Sequence, residues 1–223
     1  MIIQIYEAIN ISEAENMVKL GIDYIGVVAG LKGNYPGVLH PKQAYEIFKG
    51  VAGQAKKVLL PFSESLEDIS ILVSQIKPDI LHLAVAPEIL LPTDVQTLKI
   101  QFPEIKIMRT IPVESEDSIR IAKQYDGIAD YLLLDSRSKK DNHIGITGET
   151  HDWNISKKIV ESVSIPVILA GGLGPDNVAD AILKVRPFGV DSKTKTDKIG
   201  GVGKDMKKIE NFVKNVKITE SIL

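Results

Sequence analysis

Short runs of Ile, Val and Leu alternate along this chain with segments whose apolar residues recur at helical spacing. The apolar runs predict strands at Ile2–Tyr6, Tyr24–Ala29, Lys57–Pro61, Ile80–Ala84, Lys106–Thr110, Tyr131–Asp135, Pro166–Ala170 and Phe188–Asp191. Helices are predicted after them, near Ser12–Leu20, Pro41–Val51, Ser65–Ile76, Thr93–Gln101, Glu116–Gln124, Asn154–Ser162, Pro175–Val185 and Asp205–Val216. The first helix carries a capping-box pattern, Ser12 with Glu15, and Gly21 just past its end. Pro41 and Pro175 stand where a first helical turn tolerates proline. Eight strand-then-helix units with no Pro/Gly/Ser-rich linker predict one domain over residues 1–223, an α/β fold closed as a (β/α)8 TIM barrel. The alternative, an open doubly wound sheet, lacks its GxGxxG fingerprint after the first strand.

Composition narrows the picture. Apolar residues make up 44% of 223 and aromatics only 5%, so aliphatic side chains build the core, as in strands buried on both faces. With 27 basic against 29 acidic residues, nothing points to nucleic acid. The absence of cysteine excludes a disulfide framework, a thiolate metal site and a cysteine nucleophile. The chain starts MIIQIY with no leader-like region, and no run is long enough to span a membrane, so a cytoplasmic location is expected. No cofactor is implied. His40, His143 and His151 fall in predicted loops without ligand-like spacing, so no metal site is expected either.

The candidate chemistry lies between Leu132 and Asp191. The apolar run of LLLDSR stops on Asp135, which puts a carboxylate at the C-terminal tip of a buried strand. The run Val167–Ala170 stops on Gly171-Gly172 and passes Pro175 into a helix, where backbone N–H groups can approach an anion. Two loops exceed what connection needs, Gly30–His40 and Ser136–His151. On the C-terminal face of a barrel both would border an active site; they are either plain surface loops or, for the second, with its TGETHDW string, a substrate lid, and the first is left undecided.

These motifs together resemble the phosphoribosylanthranilate isomerase family, which carries LLDT/S, GGTGKTFDW, LAGGLNPENV and VRPxGVDVSSGVE. The match is close from Asp135 to Asp191 and weaker before it, where KLGIDYIGVV echoes ELGADAxGFVF. The resemblance implies that Asp135 is the general acid that protonates the ribose ring oxygen. It implies a cysteine base at the end of the first strand, in K-I-C-G-I-T-N. Here the string is Gln4-Ile5-Tyr6-Glu7-Ala8-Ile9-Asn10, so Tyr6 takes the thiol's place. A phenol titrates near ~10, too high for a neutral-pH base unless perturbed, and the adjacent Glu7 is a second candidate. Strand alternation turns Glu7 away from Tyr6 unless the strand ends there. His82 replaces the glutamine of the family's VQLHG and is either a base or a neutral core histidine. The family's carboxylate-gripping arginine falls near Gly37, and its loop lysine at Glu149.

For phosphate the resemblance implies Gly171, Gly172, Leu173 and Asp191, followed by Ser192, Lys193 and Thr194, where the family has serines and glycine. Ser192, Thr194 and Thr196 carry hydroxyls, and Lys193 and Lys195 carry charge. Trp153 is expected to pack the barrel side. The implied activity is an Amadori-type aldose-to-ketose isomerisation of a phosphorylated sugar or N-glycosylamine, in tryptophan biosynthesis. The alternatives are isomerisation or epimerisation of another phosphosugar, and a barrel that binds a phosphorylated ligand without turnover. The expected partner is a phosphorylated small molecule, with no nucleic acid or membrane, and the chain is expected as a monomer or homodimer.

Overall fold

Aliphatic strands buried on both faces close into a ring in the computed structural model, which describes residues 1–32, 36–137, 144–145 and 148–223. The strands are β1 (Ile2–Ile5), β2 (Tyr24–Ala29), β3 (Val38–Leu39), β4 (Lys56–Pro61), β5 (Ile80–Leu83), β6 (Lys106–Pro112), β7 (Tyr131–Asp135), β8 (Val167–Leu169) and β9 (Gly189–Ser192). All pair in parallel in the order β1-β9-β8-β7-β6-β5-β4-β2, and β1 closes on β2 through Gln4↔Tyr24 and Ile5↔Ile25. Eight helices cover the outside: α1 (Ile11–Lys19), α2 (Pro41–Gly50), α3 (Leu66–Ile76), α4 (Pro92–Gln101), α5 (Asp117–Tyr125), α6 (Trp153–Ser162), α7 (Val178–Val185) and α8 (Met206–Glu220). This is the (β/α)8 barrel that the alternation predicts. None of the helices among the described residues is long and apolar enough to cross a membrane.

Side-chain alternation sorts every strand into two cores. Residues such as Ile3, Ile5, Val27, Leu59, Leu81, Leu132 and Leu169 pack outward against the helices. Tyr6, Val28, Val58, Ile80, Met108, Leu133, Ile168 and Ala170 fill the barrel interior. One outward residue is both charged and fully buried. Arg109 of β6 is fully buried, with Nη1 donating to the carbonyls of Leu83 (2.7 Å) and Val85 (2.6 Å) and Nη2 to that of Leu90 (3.3 Å). Its guanidinium lies 5.0 Å from the centre of the Tyr125 ring. It thereby fixes the loop leaving β5.

Three expectations need correction. The N-cap of α1 is Asn10, not Ser12: Asn10 Oδ1 accepts from Glu13 N at 2.9 Å, while the Glu13 carboxylate accepts from Ile9 N at 3.1 Å. Pro175 is not in the first turn of α7, which begins at Val178. Asn177 holds the preceding turn, accepting from Gly174 N (2.8 Å) and donating to the carbonyl of Gly172 (3.1 Å). The Gly30–His40 loop contains the short strand β3, which pairs with β2 at Val28↔Val38 and Ala29↔Leu39 beyond the point where β1 has ended.

Gly26 of β2 faces the Tyr6 ring so closely that a Cβ there would collide with it. Tyr6 is 5% exposed, so the ring has nowhere to go. Gly26→Ala is expected to lower stability by about 1–3 kcal/mol, the usual range for overpacking. The loss should shrink when Tyr6→Cys is present, and denaturant titration of the four members of this cycle measures the coupling.

Candidate active site

Asp135 is the last residue of β7, and its side chain follows Leu133 on the inward face at the C-terminal mouth. Oδ1 accepts from Ser136 N at 2.7 Å and from Ser136 Oγ at 3.4 Å. Oδ2 lies against Gly145, where an added Cβ would stand 2.6 Å away. No cation pairs with it among the described residues. Burial pushes its pKa up to about 7, and the Ser136 hydrogen bonds offset only part of this.

Asp191 of β9 stands in register with Gln4 of β1, and Gln4 Nε2 donates to its Oδ1 at 3.0 Å. Burial, and secondarily the charge of Asp135, raise its pKa to about 7 against the opposing effects of Gln4 and Lys204. The carboxyl thus occupies the barrel interior near Asp135. A carboxylate repels phosphate, so this geometry associates Asp191 with the acid rather than with an anion site.

Tyr6, His82 and Thr110 form a chain across the interior. Tyr6 Oη lies 2.9 Å from His82 Nδ1, and His82 Nε2 lies 2.6 Å from Thr110 Oγ1. Both imidazole nitrogens are occupied, and burial, helped by Arg109, lowers the His82 pKa to about 3. Burial, with a smaller effect from Asp191, holds the Tyr6 phenol well above its ordinary value. This favours the neutral core histidine of the two sequence readings.

Glu7 does reach the mouth, because β1 ends at Ile5 and alternation no longer governs its direction. Its Oε1 lies 3.5 Å from Lys193 Nζ. The carboxylate also fills the space beside Gly37, whose φ of +84° suits glycine and where any Cβ would meet it.

The glycine-rich end forms a cradle of backbone N–H groups. Gly171 and Gly172 have φ of +79° and +61°. Among the described residues, the N–H groups of Gly171, Gly172, Leu173, Lys193 and Thr194 donate no hydrogen bond within the protein. The side chains predicted beside them are partly spent. Ser192 Oγ donates to the Leu173 carbonyl (2.6 Å) and Thr196 Oγ1 to that of Lys193 (2.9 Å), leaving Thr194 as the free hydroxyl. Lys193 is held by Glu7 and, at 3.2 Å, by Asp197. Asp197 also pairs with the buried Lys204. Lys195 packs its stem against Gly174 and is exposed.

The loop after β7 crosses this cradle. Added Cβ atoms at Gly172 and Gly148 would stand 2.7 Å from the Glu149 backbone and 3.3 Å from Thr194, respectively. His151, whose Nε2 lies 2.7 Å from Ser156 Oγ, packs on Gly171. Residues 138–143 and 146–147, including His143, lie outside the described residues, as do residues 33–35 of the earlier loop. His40 caps α2, and Trp153 opens α6 and packs against the outer core. No group able to hold a metal ion occurs among the described residues. Sequence reading put Gln4 on the inward face with Tyr6 but gave it no role, and it did not single out Thr110, two residues from the interior Met108.

A sequence model of the family described as N-(5'-phosphoribosyl)anthranilate (PRA) isomerase matches residues 6–215. The N-(5'-phosphoribosyl)anthranilate isomerase 2 of Methanosarcina mazei is 35% identical over 197 residues, covering 88% of this chain and 85% of that protein. The solved N-(5'-phosphoribosyl)anthranilate isomerase from Pyrococcus furiosus is 26% identical with a TM-score of 0.76, covering 98% of this chain and 99% of that one. A phosphoribosyl anthranilate isomerase solved with reduced 1-(o-carboxyphenylamino)-1-deoxyribulose 5-phosphate is 25% identical, with a TM-score of 0.75 and coverage of 97% and 99%.

Asp135 and Asp191 carry a consequence for stability. Their folded pKa values near 7 exceed the ordinary 3.8, so the fold binds more protons than the unfolded chain between those values. Their contribution to stability is fully present below about pH 4 and is lost as pH rises through about 7. Urea midpoints should therefore fall less steeply over this window in Asp191→Asn than in wild type. Parallel curves would contradict the burial argument.

Proposed function

The chain belongs to the N-(5'-phosphoribosyl)anthranilate isomerase family, the aldose–ketose isomerases of tryptophan biosynthesis, and we propose that it rearranges a phosphorylated N-glycosylamine with Asp135 as general acid. The observation that carries this reading is the Asp135 carboxyl, still substantially protonated at neutral pH and facing the mouth beside Gly171. A general acid works best with a pKa near the working pH. Its proton goes to the ribose ring oxygen. The C1–O bond then breaks as the nitrogen lone pair forms the C1=N bond of an iminium. Removal of the C2 proton gives the enolamine, which tautomerises to the aminoketose. The free N–H groups of Gly171–Leu173, Lys193 and Thr194, with the Thr194 hydroxyl, are suited to hold the phosphate. In this reading Ser192 and Lys193 support the cradle through backbone and charge pairing, and Tyr6 and His82 form a neutral wall.

One observation favours a second substrate. Glu7 fills the space at Gly37, where the family motif has arginine, so a carboxylate on the aglycone would meet like charge. A glycosylamine without that carboxylate fits this corner better. We infer a cytoplasmic monomer or homodimer; a Thermotoga maritima relative is described as dimeric, which supports the second form for that protein.

The test is steady-state turnover of N-(5'-phosphoribosyl)anthranilate. Asp135→Asn should lower kcat by about 10²–10⁴-fold, the usual contribution of a general acid, with binding of phosphate ligands retained. In wild type the rate should fall as pH rises through about 7, because the acid then loses its proton. An undiminished rate in Asp135→Asn would remove this residue from the mechanism. Replacing anthranilate by aniline in the substrate checks the second reading, which expects a lower KM for the uncharged aglycone.

A further inference from the structure

The proposed reaction needs a group to take the proton from C2, and β1 offers none that is free. Tyr6 and His82 are bonded to one another, and Glu7 is paired with Lys193. Asp191 differs from all three. Its carboxyl stands in register with Gln4 and faces the interior shared by Tyr6 and Asp135. Gln4 binds one oxygen, while the other has no protein partner among the described residues. Gln4 itself is fully buried, and its amide oxygen has no partner. A half-turn of that amide exchanges N–H₂ for C=O. The same side chain can therefore donate to an ionised Asp191 or accept from a protonated one. The family motif quoted above has lysine at this position, and a cation there would pin the carboxylate in its charged form.

We propose that Asp191 is the general base of this chain, receiving the C2 proton that relatives deliver to a cysteine on the first strand. The assignment rests on the isomerase reading above. The balance is complete without a co-reactant. Asp135 gives its proton to the ring oxygen as C1–O breaks. Asp191 takes the C2 proton, the C–H pair becomes the C1=C2 bond, and the C1=N pair returns to nitrogen. Asp191 then delivers its proton to C1, and the enol hydroxyl returns one to Asp135 as C2=O forms. The groups facing Asp191 are Gln4 on β1, Tyr6 just after it, Asp135 on β7 and Lys204 after β9. Burial raises the pKa of both aspartates to about 7, which suits an acid and a base that exchange protons near neutrality.

The experiment compares variants of the full chain with N-(5'-phosphoribosyl)anthranilate. Asp191→Asn should lower kcat by about 10²–10⁴-fold with little change in KM, as expected for loss of a base. Adding Tyr6→Cys to Asp191→Asn should recover about tenfold or more, because a thiol near pKa ~8.5 returns to β1. Adding it to Asp135→Asn should recover nothing. Gln4→Lys should shift the acidic limb of the kcat profile to lower pH, and it carries the test if Asp191→Asn does not fold. Wild-type kcat in Asp191→Asn, a loss confined to KM, or an acidic limb unmoved by Gln4→Lys would each overturn the assignment while leaving the isomerase reading intact. Absence of turnover in wild type would overturn both.

Discussion

Two carboxyl groups, Asp135 and Asp191, stand in a barrel interior filled by aliphatic and aromatic side chains and the neutral polar groups of Gln4, His82 and Thr110, and neither has an ion-pair partner among the described residues. Withdrawing an ionised carboxylate from water costs several kcal/mol unless charge or hydrogen bonds replace the lost solvation. Asp135 receives two hydrogen bonds from one serine, and Asp191 receives one from a glutamine. That is too little to hold two negative charges, so each group keeps its proton to near pH 7. The nearby charges are arranged to leave this pair alone. Lys193 is held by Glu7 and Asp197, and Lys204 is buried against Asp197 and the Lys193 carbonyl. With its cations already paired, the loop after β9 presents little net charge toward the acids.

Tyr6 reshapes the other side of the mouth. Its ring needs the bare backbone of Gly26, and its hydroxyl is drawn to His82, whose second nitrogen meets Thr110. A neutral chain of three polar groups thus occupies the region where the family motif has a thiol. Stability and chemistry are linked here: the hydrogen bonds that satisfy a buried imidazole also remove it from proton transfer. Under the proposed mechanism the reactive protons fall to Asp135 on β7 and Asp191 on β9.

Much of this was legible in the sequence. Aliphatic runs placed β2 and β7 at their observed bounds, and the run ending on Asp135 put a carboxyl at the mouth. The glycine pair after β8 marked a turn, and both glycines adopt positive φ there. What the pattern missed depends on partners distant in sequence. No local signal says that Ser192 spends its hydroxyl on Leu173, or that Asn177 rather than Pro175 organises the turn before α7. The direction of Asp191 follows from its register with Gln4, 187 residues away, which only barrel closure creates. Glu7 escaped the alternation argument because β1 stops at Ile5, one residue before the predicted end.

Burial without a cation partner holds both carboxyls protonated to near pH 7. Carbon-13 NMR of the aspartate carboxyl carbons, followed from pH 3 to 9 on the ligand-free chain, measures this directly. Two resonances, assigned by Asp135→Asn and Asp191→Asn, are expected to titrate near 7 while ordinary surface aspartates titrate near ~4. Titration of both carboxyls with the surface group would contradict it.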